Sequence, residues 1–332
     1  MIPDCTTIAT DPKPFGFHVE LRRLALPILA LACLSQARAA PFAYVPNERS
    51  GTVSVIDTAS DRVVATIKTG GKPRGIAASP DGRRLYVSDQ PTGSLVVVDL
   101  ATREISERIP VGKSPEGVTI SRDGAWIAVA VEENNSVALV RAAAPRELTG
   151  VRVSGQNPEH AVFSPDGKWL YVSAEDGAVI DVIDVAKRSA VKSITVGERP
   201  RGIGFLPDGS RAYVAAENSD RVYVIDCERT EVIAVIAAGK RSNGIAVRPD
   251  GKVVFVSNGG EASVSAIDVV SGKITATVPV GQRPWNMAMT PDGKKLYVAN
   301  GRSNSVSVID AEAMTPLRDI PVGEAPWGVV VR

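Results

Sequence analysis

The stretch SPDGRRLYVSD, residues 79–89, is a Pro-Asp-Gly turn feeding a short apolar strand, and close copies recur as SPDGKWLYVSA at 164–174 and TPDGKKLYVAN at 290–300. The turn glycines are Gly82, Gly124, Gly167, Gly209, Gly251 and Gly293, each 42 or 43 residues from the last. An aspartate closes a Val-Ile-Asp-like strand at the same interval, at Asp57, Asp99, Asp184, Asp226, Asp268 and Asp310, with Arg141 standing where a seventh belongs. Self-similarity at a fixed period of about 20 to 50 residues is the mark of solenoids and propellers.

Each unit reads as four strands. A Gly-x-x-Pro-x-Gly loop leads into a small-residue strand such as GIAAS, the Pro-Asp-Gly turn reverses it into LYVS, and VVVVD and ISERIPV follow. Short β-branched runs bounded by Gly, Pro and Asp are strand signals, and no stretch of the repeats sustains the 3.6-residue period of a helix. Four antiparallel strands in about 42 residues make one blade of a β-propeller.

Seven second strands are present, at Tyr44, Tyr86, Ala128, Tyr171, Tyr213, Phe255 and Tyr297. The first lacks a strand before it, and the last segment, WGVVVR at 327–332, has none after it. The two deficits match, so the expected fold is all-β: a seven-bladed propeller whose C-terminal strand pairs with the N-terminal blade and closes the ring. Closure removes sheet edges that would otherwise template aggregation. The unit around 124–153, where LVRAAAPRELTG replaces the usual Val-Ile-Asp pattern, is expected to be locally irregular.

Ahead of the repeats, LRRLALPILALACLSQARAAP sets two arginines before an apolar run and ends it with Ala37-Arg38-Ala39. This is the pattern of a secretory signal peptide over residues 1–39, too short to span a membrane. Residues 1–18 are polar and acidic, which makes Val19 the expected translation start; a long polar leader is the alternative. Cys33 gives a poor lipoprotein site. The single propeller is expected over 40–332, as a periplasmic monomer. Past Ala39 the only cysteine is Cys227, so no internal disulfide can form. Acidic and basic residues balance there without basic stripes, which gives no reason to expect nucleic acid.

The repeats AYVPNERSGTVSVIDTASDRVVATI (43–67), LYVSDQPTGSLVVVDLATREI (85–105) and LYVANGRSNSVSVIDAEAM (296–314) resemble the YVTN family of β-propeller repeats over about 42–332. The seven-repeat, signal-bearing chain is similar to periplasmic propellers associated with pyrroloquinoline quinone-dependent alcohol catabolism. That resemblance implies an exported propeller beside an alcohol-oxidation or transport system. It says little of activity, because propellers host many functions.

Function is sought where the repeats disagree. The residue after the proline slot of the Gly-x-x-Pro-x-Gly loop is Arg74, Glu116, Glu159, Arg201, Asn243, Trp285 and Trp327 in turn. The next slot is Gly in five units but His160 and Asn286 in two. These residues are expected at one mouth of the central channel, as the binding site for a periplasmic protein or a small planar anionic molecule. Trp285, Trp327 and Arg74 would offer stacking faces beside a guanidinium. Glu116 and Glu159, with the arginines, are expected to form alternating salt bridges. The loops on the same face carry Glu48, Asp89, Glu132, Glu133, Glu175, Asp176, Glu217, Asp220 and Glu261, read as a mostly solvated acidic rim, the alternative being a charged collar around a funnel that holds Trp285, Trp327 and Arg74.

No catalytic constellation stands out. His160 is the only histidine past Ala39, and there is no Gly-x-Ser-x-Gly elbow, haem-attachment motif or phosphate loop. The expectation is therefore a non-enzymatic binding scaffold without cofactor or metal. The alternative is a propeller enzyme, lactonase-like or related to the haem-binding domain of periplasmic nitrite reductase.

Overall fold

The computed structural model describes residues 11–13, 16, 41–143 and 146–332. Apart from residues 11–13 and 16, the expected leader lies outside these residues, Cys5, Val19 and Cys33 included. Among the described residues no helix is long and apolar enough to cross a membrane.

Residues 40–332 form one compact unit of seven four-stranded antiparallel sheets. In blades 2 to 7 four successive strands run outward from the axis; blade 2, for example, is Pro73–Ala78, Arg84–Asp89, Ser94–Asp99 and Glu104–Pro110. Blade 1 is split as expected. Its strands Phe42–Asn47, Thr52–Asp57 and Arg62–Lys68 come from the start of the repeats, and Val330–Val331 supplies the inner strand by pairing with Tyr44 and Ala43. The seam extends beyond that pair: Trp327 donates its N–H to the Pro46 carbonyl at 3.0 Å, and Phe42 and Arg332 exchange two backbone bonds at 2.7 and 2.8 Å.

The repeated residues serve the blade. In the turn at 79–84, Asp81 Oδ1 accepts from Ser79 Oγ at 2.5 Å and from the Arg83 N–H at 3.0 Å, while Gly82 takes φ +70°. That left-handed conformation favours glycine. At the next corner Asp57 Oδ1 accepts the Ala59 N–H at 2.7 Å, and Asp99 does the same for Ala101 at 2.9 Å. The second-strand aromatics Tyr86, Tyr171, Tyr213, Phe255 and Tyr297 are the largest fully buried side chains. They sit in apolar layers between blades, as where Ala43, Val45 and Ile56 of blade 1 meet Tyr297, Val306 and Val308 of blade 7.

Blade 3, expected to be irregular, is a full four-stranded sheet with a shortened outer strand, Leu148–Arg152. Arg146 anchors the connection by donating to the Glu107 carboxylate of blade 2 at 2.7 to 3.0 Å. Helical structure is limited, among the described residues, to two single 3-10 turns, Glu132–Asn134 and Glu217–Ser219.

The glycine slot fixes how tightly the ring closes on its axis. A Cβ at Gly75 would lie 2.2 Å from the Glu116 carbonyl oxygen, and one at Gly244 2.4 Å from that of Trp285. Neighbouring inner strands approach too closely there for any side chain pointing at the next backbone. Gly244→Ala is therefore expected to lower the melting temperature clearly, whereas Gly150→Ala, with nothing within 4 Å, should leave it nearly unchanged. Deleting 327–332 removes the closing strand and should cost several kcal/mol, lowering Tm by about 10 °C or more or giving aggregated protein. A truncated protein with parental melting would show that the seam contributes nothing.

Candidate functional site at the channel mouth

The expected slot does converge. Of the expected residues, Arg74, Glu159, Arg201, Asn243, Trp285, Asn286 and Trp327 all line a cavity of about 430 Å³ at one mouth of the channel. Glu116 lies fully buried beneath Arg74, and His160 faces the narrower channel of about 210 Å³ on the far side of the cavity floor.

That floor is built from the two slots that are not glycine. His160 Nε2 lies 3.2 Å from Asn286 Oδ1, although the two residues come from blades 4 and 7. The imidazole stacks on Trp327 with ring centroids 5.3 Å apart and planes 15° from parallel. The Trp327 carbonyl accepts the Asn286 N–H at 3.4 Å. Side chains from blades 1, 4 and 7 thus meet on the axis and plug it. Trp327 is only 8% exposed, its face spent on His160 rather than offered beside Trp285. Trp285 packs instead over Gly301, where a Cβ would sit 2.5 Å from the indole ring. Burial holds His160 below its ordinary pKa, so the imidazole is neutral at pH 7.

Ion pairs link the wall across blade boundaries. Arg74 reaches Glu116 at 2.6 Å and Glu48 at 3.2 Å. Arg201 contacts three carboxylates: Glu159 at 2.5 Å, Glu217 at 2.9 Å, and Glu175. Arg199 pairs with Glu175 at 3.1 Å, and Arg283 of blade 7 reaches Glu217 of blade 5 at 2.5 Å. The alternating bridges expected from the arginines are present. The acidic rim, however, is not mostly solvated: Glu48, Glu132 and Glu175 line the cavity, and the nearly buried Glu217 joins the ion-pair network. Arg199 and Arg283 were not expected there. They occupy the place just before the proline slot, which reads Lys72, Ser114, Asn157, Arg199, Arg241, Arg283 and Ala325 around the ring, two positions ahead of the variable slot and as varied as it is.

Three carboxylates on one guanidinium cannot all ionise cheaply in a partly buried site. Burial and the neighbouring Glu159 push Glu175 up to about 8. Burial raises Glu159 as well, but the Arg201 guanidinium outweighs it and holds that carboxyl below its ordinary value. Glu175 is thus the protonated member of a proton-sharing pair and Glu159 the ionised one. On the other side, burial and then Glu159 push Glu116 up to about 8 against the pull of Arg74. Several polar atoms of this wall have no hydrogen-bond partner, among them Arg74 Nε, Arg283 Nη1 and Glu116 Oε2.

Comparison with known proteins adds to this geometry. A model of the lactonase seven-bladed β-propeller family matches residues 184–320, and a YNCE-like β-propeller model matches 29–126. No curated protein matches the chain. Among solved structures, hydrazine synthase of Kuenenia stuttgartiensis superposes with TM-score 0.73 at 25% identity, over 80% of this chain and 91% of that one. A proposed 6-phosphogluconolactonase of Bacteroides fragilis gives TM-score 0.74 at 20% identity, over 88% and 98%. The dihydro-haem d1 dehydrogenase NirN gives 0.67 at 16%, over 89% and 76%. The two weaker identities speak for the fold alone. The lactonase match corrects the expectation of a non-enzymatic protein: it sets residues 184–320, which hold Arg199, Arg201, Glu217 and Arg283, with an enzyme-like propeller family.

Arg201→Met tests the charge network. It removes the cation that Glu159, Glu175 and Glu217 share and leaves Glu159 with no ion-pair partner among the described residues, so the variant should melt below the parent. The deficit should be larger at pH 8 than at pH 5, where the stranded carboxyls can take up protons. An equal deficit at both values would show that Arg201 acts through packing alone.

Proposed function

We propose that the protein is a hydrolase of small lactones that works at the channel mouth. The observation carrying this reading is the Glu159–Glu175 pair, two touching carboxyls whose proton affinities are driven apart beside arginines. Such divergence is how one site holds an acid and a base at the same pH. Glu159, ionised, takes a proton from a water whose oxygen attacks the lactone carbonyl. The acyl carbon–oxygen bond to the ring oxygen then breaks, and Glu175 gives its proton to that leaving oxygen. The product is an open hydroxy acid. Arginine nitrogens on the wall supply positive charge for the oxygen on which charge develops. The plug of His160, Asn286 and Trp327 closes the channel below, so substrate enters from the mouth face only.

The lactonase match over 184–320 supports the reaction class. The repeat resemblance supports a setting. Oxidation of a cyclic hemiacetal yields a lactone, so a propeller beside a quinone-dependent alcohol-oxidising system would consume what that system makes. The signal-like segment ending at Ala39 supports a periplasmic location, which N-terminal sequencing of exported protein checks: a chain beginning near Ala40 is expected.

Activity is tested with a panel of five- and six-membered aldonolactones, followed by acid release and corrected for spontaneous hydrolysis. The parent should show kcat/KM falling as pH rises through about 8, where Glu175 loses its proton. Glu175→Gln should lower kcat by about 10²- to 10⁴-fold with little change in Tm, the usual size of a lost general acid. Failure to hydrolyse any lactone, or full activity of Glu175→Gln, would overturn the proposal.

A further inference from the structure

Trp126 and Trp169 hold the same place in successive blades, and their surroundings differ in one respect. Trp126 is paired across its sheet with Arg141. The guanidinium carbons of Arg141 and Arg188 stand 5.7 and 5.1 Å from its ring centroid, so two cations cover the indole. One repeat later those two positions hold Asp184 and Thr230. Trp169 is paired with Asp184, remains 36% exposed, and has no cation over its ring among the described residues.

Beside Trp169 opens a cavity of about 480 Å³ between blades 4 and 5, at the Pro-Asp-Gly end of the strands, opposite the mouth. Its apolar wall is Trp169, Tyr171, Phe205 and two turn prolines, with the Tyr171 and Phe205 rings 4.9 Å apart, edge to face. Three carboxylates, Asp166, Asp208 and Glu228, line it against one cation, Arg122. Asp166 has Lys168 at 3.5 Å, whereas Asp208 and Glu228 form no ion pair among the described residues. An exposed indole face with surplus negative charge around it is the environment that attracts organic cations, and the neighbouring blade fills its own version with guanidinium groups.

We propose that this groove binds a small organic cation, an alkylguanidinium or alkylammonium, with the charge over Trp169 and the alkyl part against Phe205. The site is separate from the channel mouth and does not depend on the reaction assigned there.

The test is a titration of the intact protein with butylguanidinium, followed through the indole N–H resonances, with butylurea as the neutral control of similar shape. The Trp169 signal, assigned by loss in Trp169→Leu, should shift saturably with the cation and not with the urea, while the Trp285 and Trp327 signals stay in place. The double variant Asp208→Asn with Glu228→Gln keeps the amide oxygen that the turn uses and should weaken binding by about tenfold. No shift at Trp169, an equal shift with butylurea, or undiminished binding to the double variant would each overturn the proposal.

Discussion

The approach of the inner strands to the propeller axis governs the geometry of the channel mouth. Seven strands converge until a Cβ at Gly75, Gly117, Gly202 or Gly244 would lie 2.2 to 2.6 Å from the carbonyl oxygen of the next blade. Glycine at these positions is thus a packing requirement. The two blades that depart from it, at His160 and Asn286, use the added side chains to reach each other across the axis. The same convergence carries the variable residue of six blades to the mouth, with Glu116 of blade 3 buried beneath, so that charges distant in sequence become neighbours.

Crowding also explains the electrostatics. Arg201 is the one cation that Glu159, Glu175 and Glu217 all share, with Arg199 and Arg283 reaching only the outer two, and burial penalises every charge that is not matched. The arrangement relaxes by keeping a proton on Glu175, the member next to Glu159, while Glu159 stays ionised through Arg201 and Glu217 through Arg201 and Arg283. A site with one acidic and one basic carboxyl follows from three carboxylates sharing one guanidinium.

The period and turn chemistry made the seven blades and the split first blade legible, because Asp57, Gly82 and their equivalents each perform the same local hydrogen bonding or backbone task. The variable slot was legible for the same reason: a position that changes chemistry in a repeat that otherwise does not is released from blade duty. Side-chain direction was harder to read. Glu175 and Glu217 sit in loops that look solvated in one dimension, and they turn inward because arginines from adjacent blades stand there. Trp327 looks like a free stacking face, yet its indole is spent on a histidine three blades away around the ring. The chemistry itself was hidden, since no motif spells a proton-sharing pair built from a strand residue and a loop residue.

The central claim is that, at neutral pH, Glu175 holds a proton while the adjacent Glu159 does not. Carbon-13 NMR titration of protein labelled at the glutamate carboxyl carbon measures this directly, with Glu175→Gln assigning the resonance. The Glu175 carboxyl should titrate near 8, well above the ordinary glutamate range of about 4, with the Glu159 signal already in its ionised position at neutral pH. Both carboxyls titrating together in the ordinary range would contradict it.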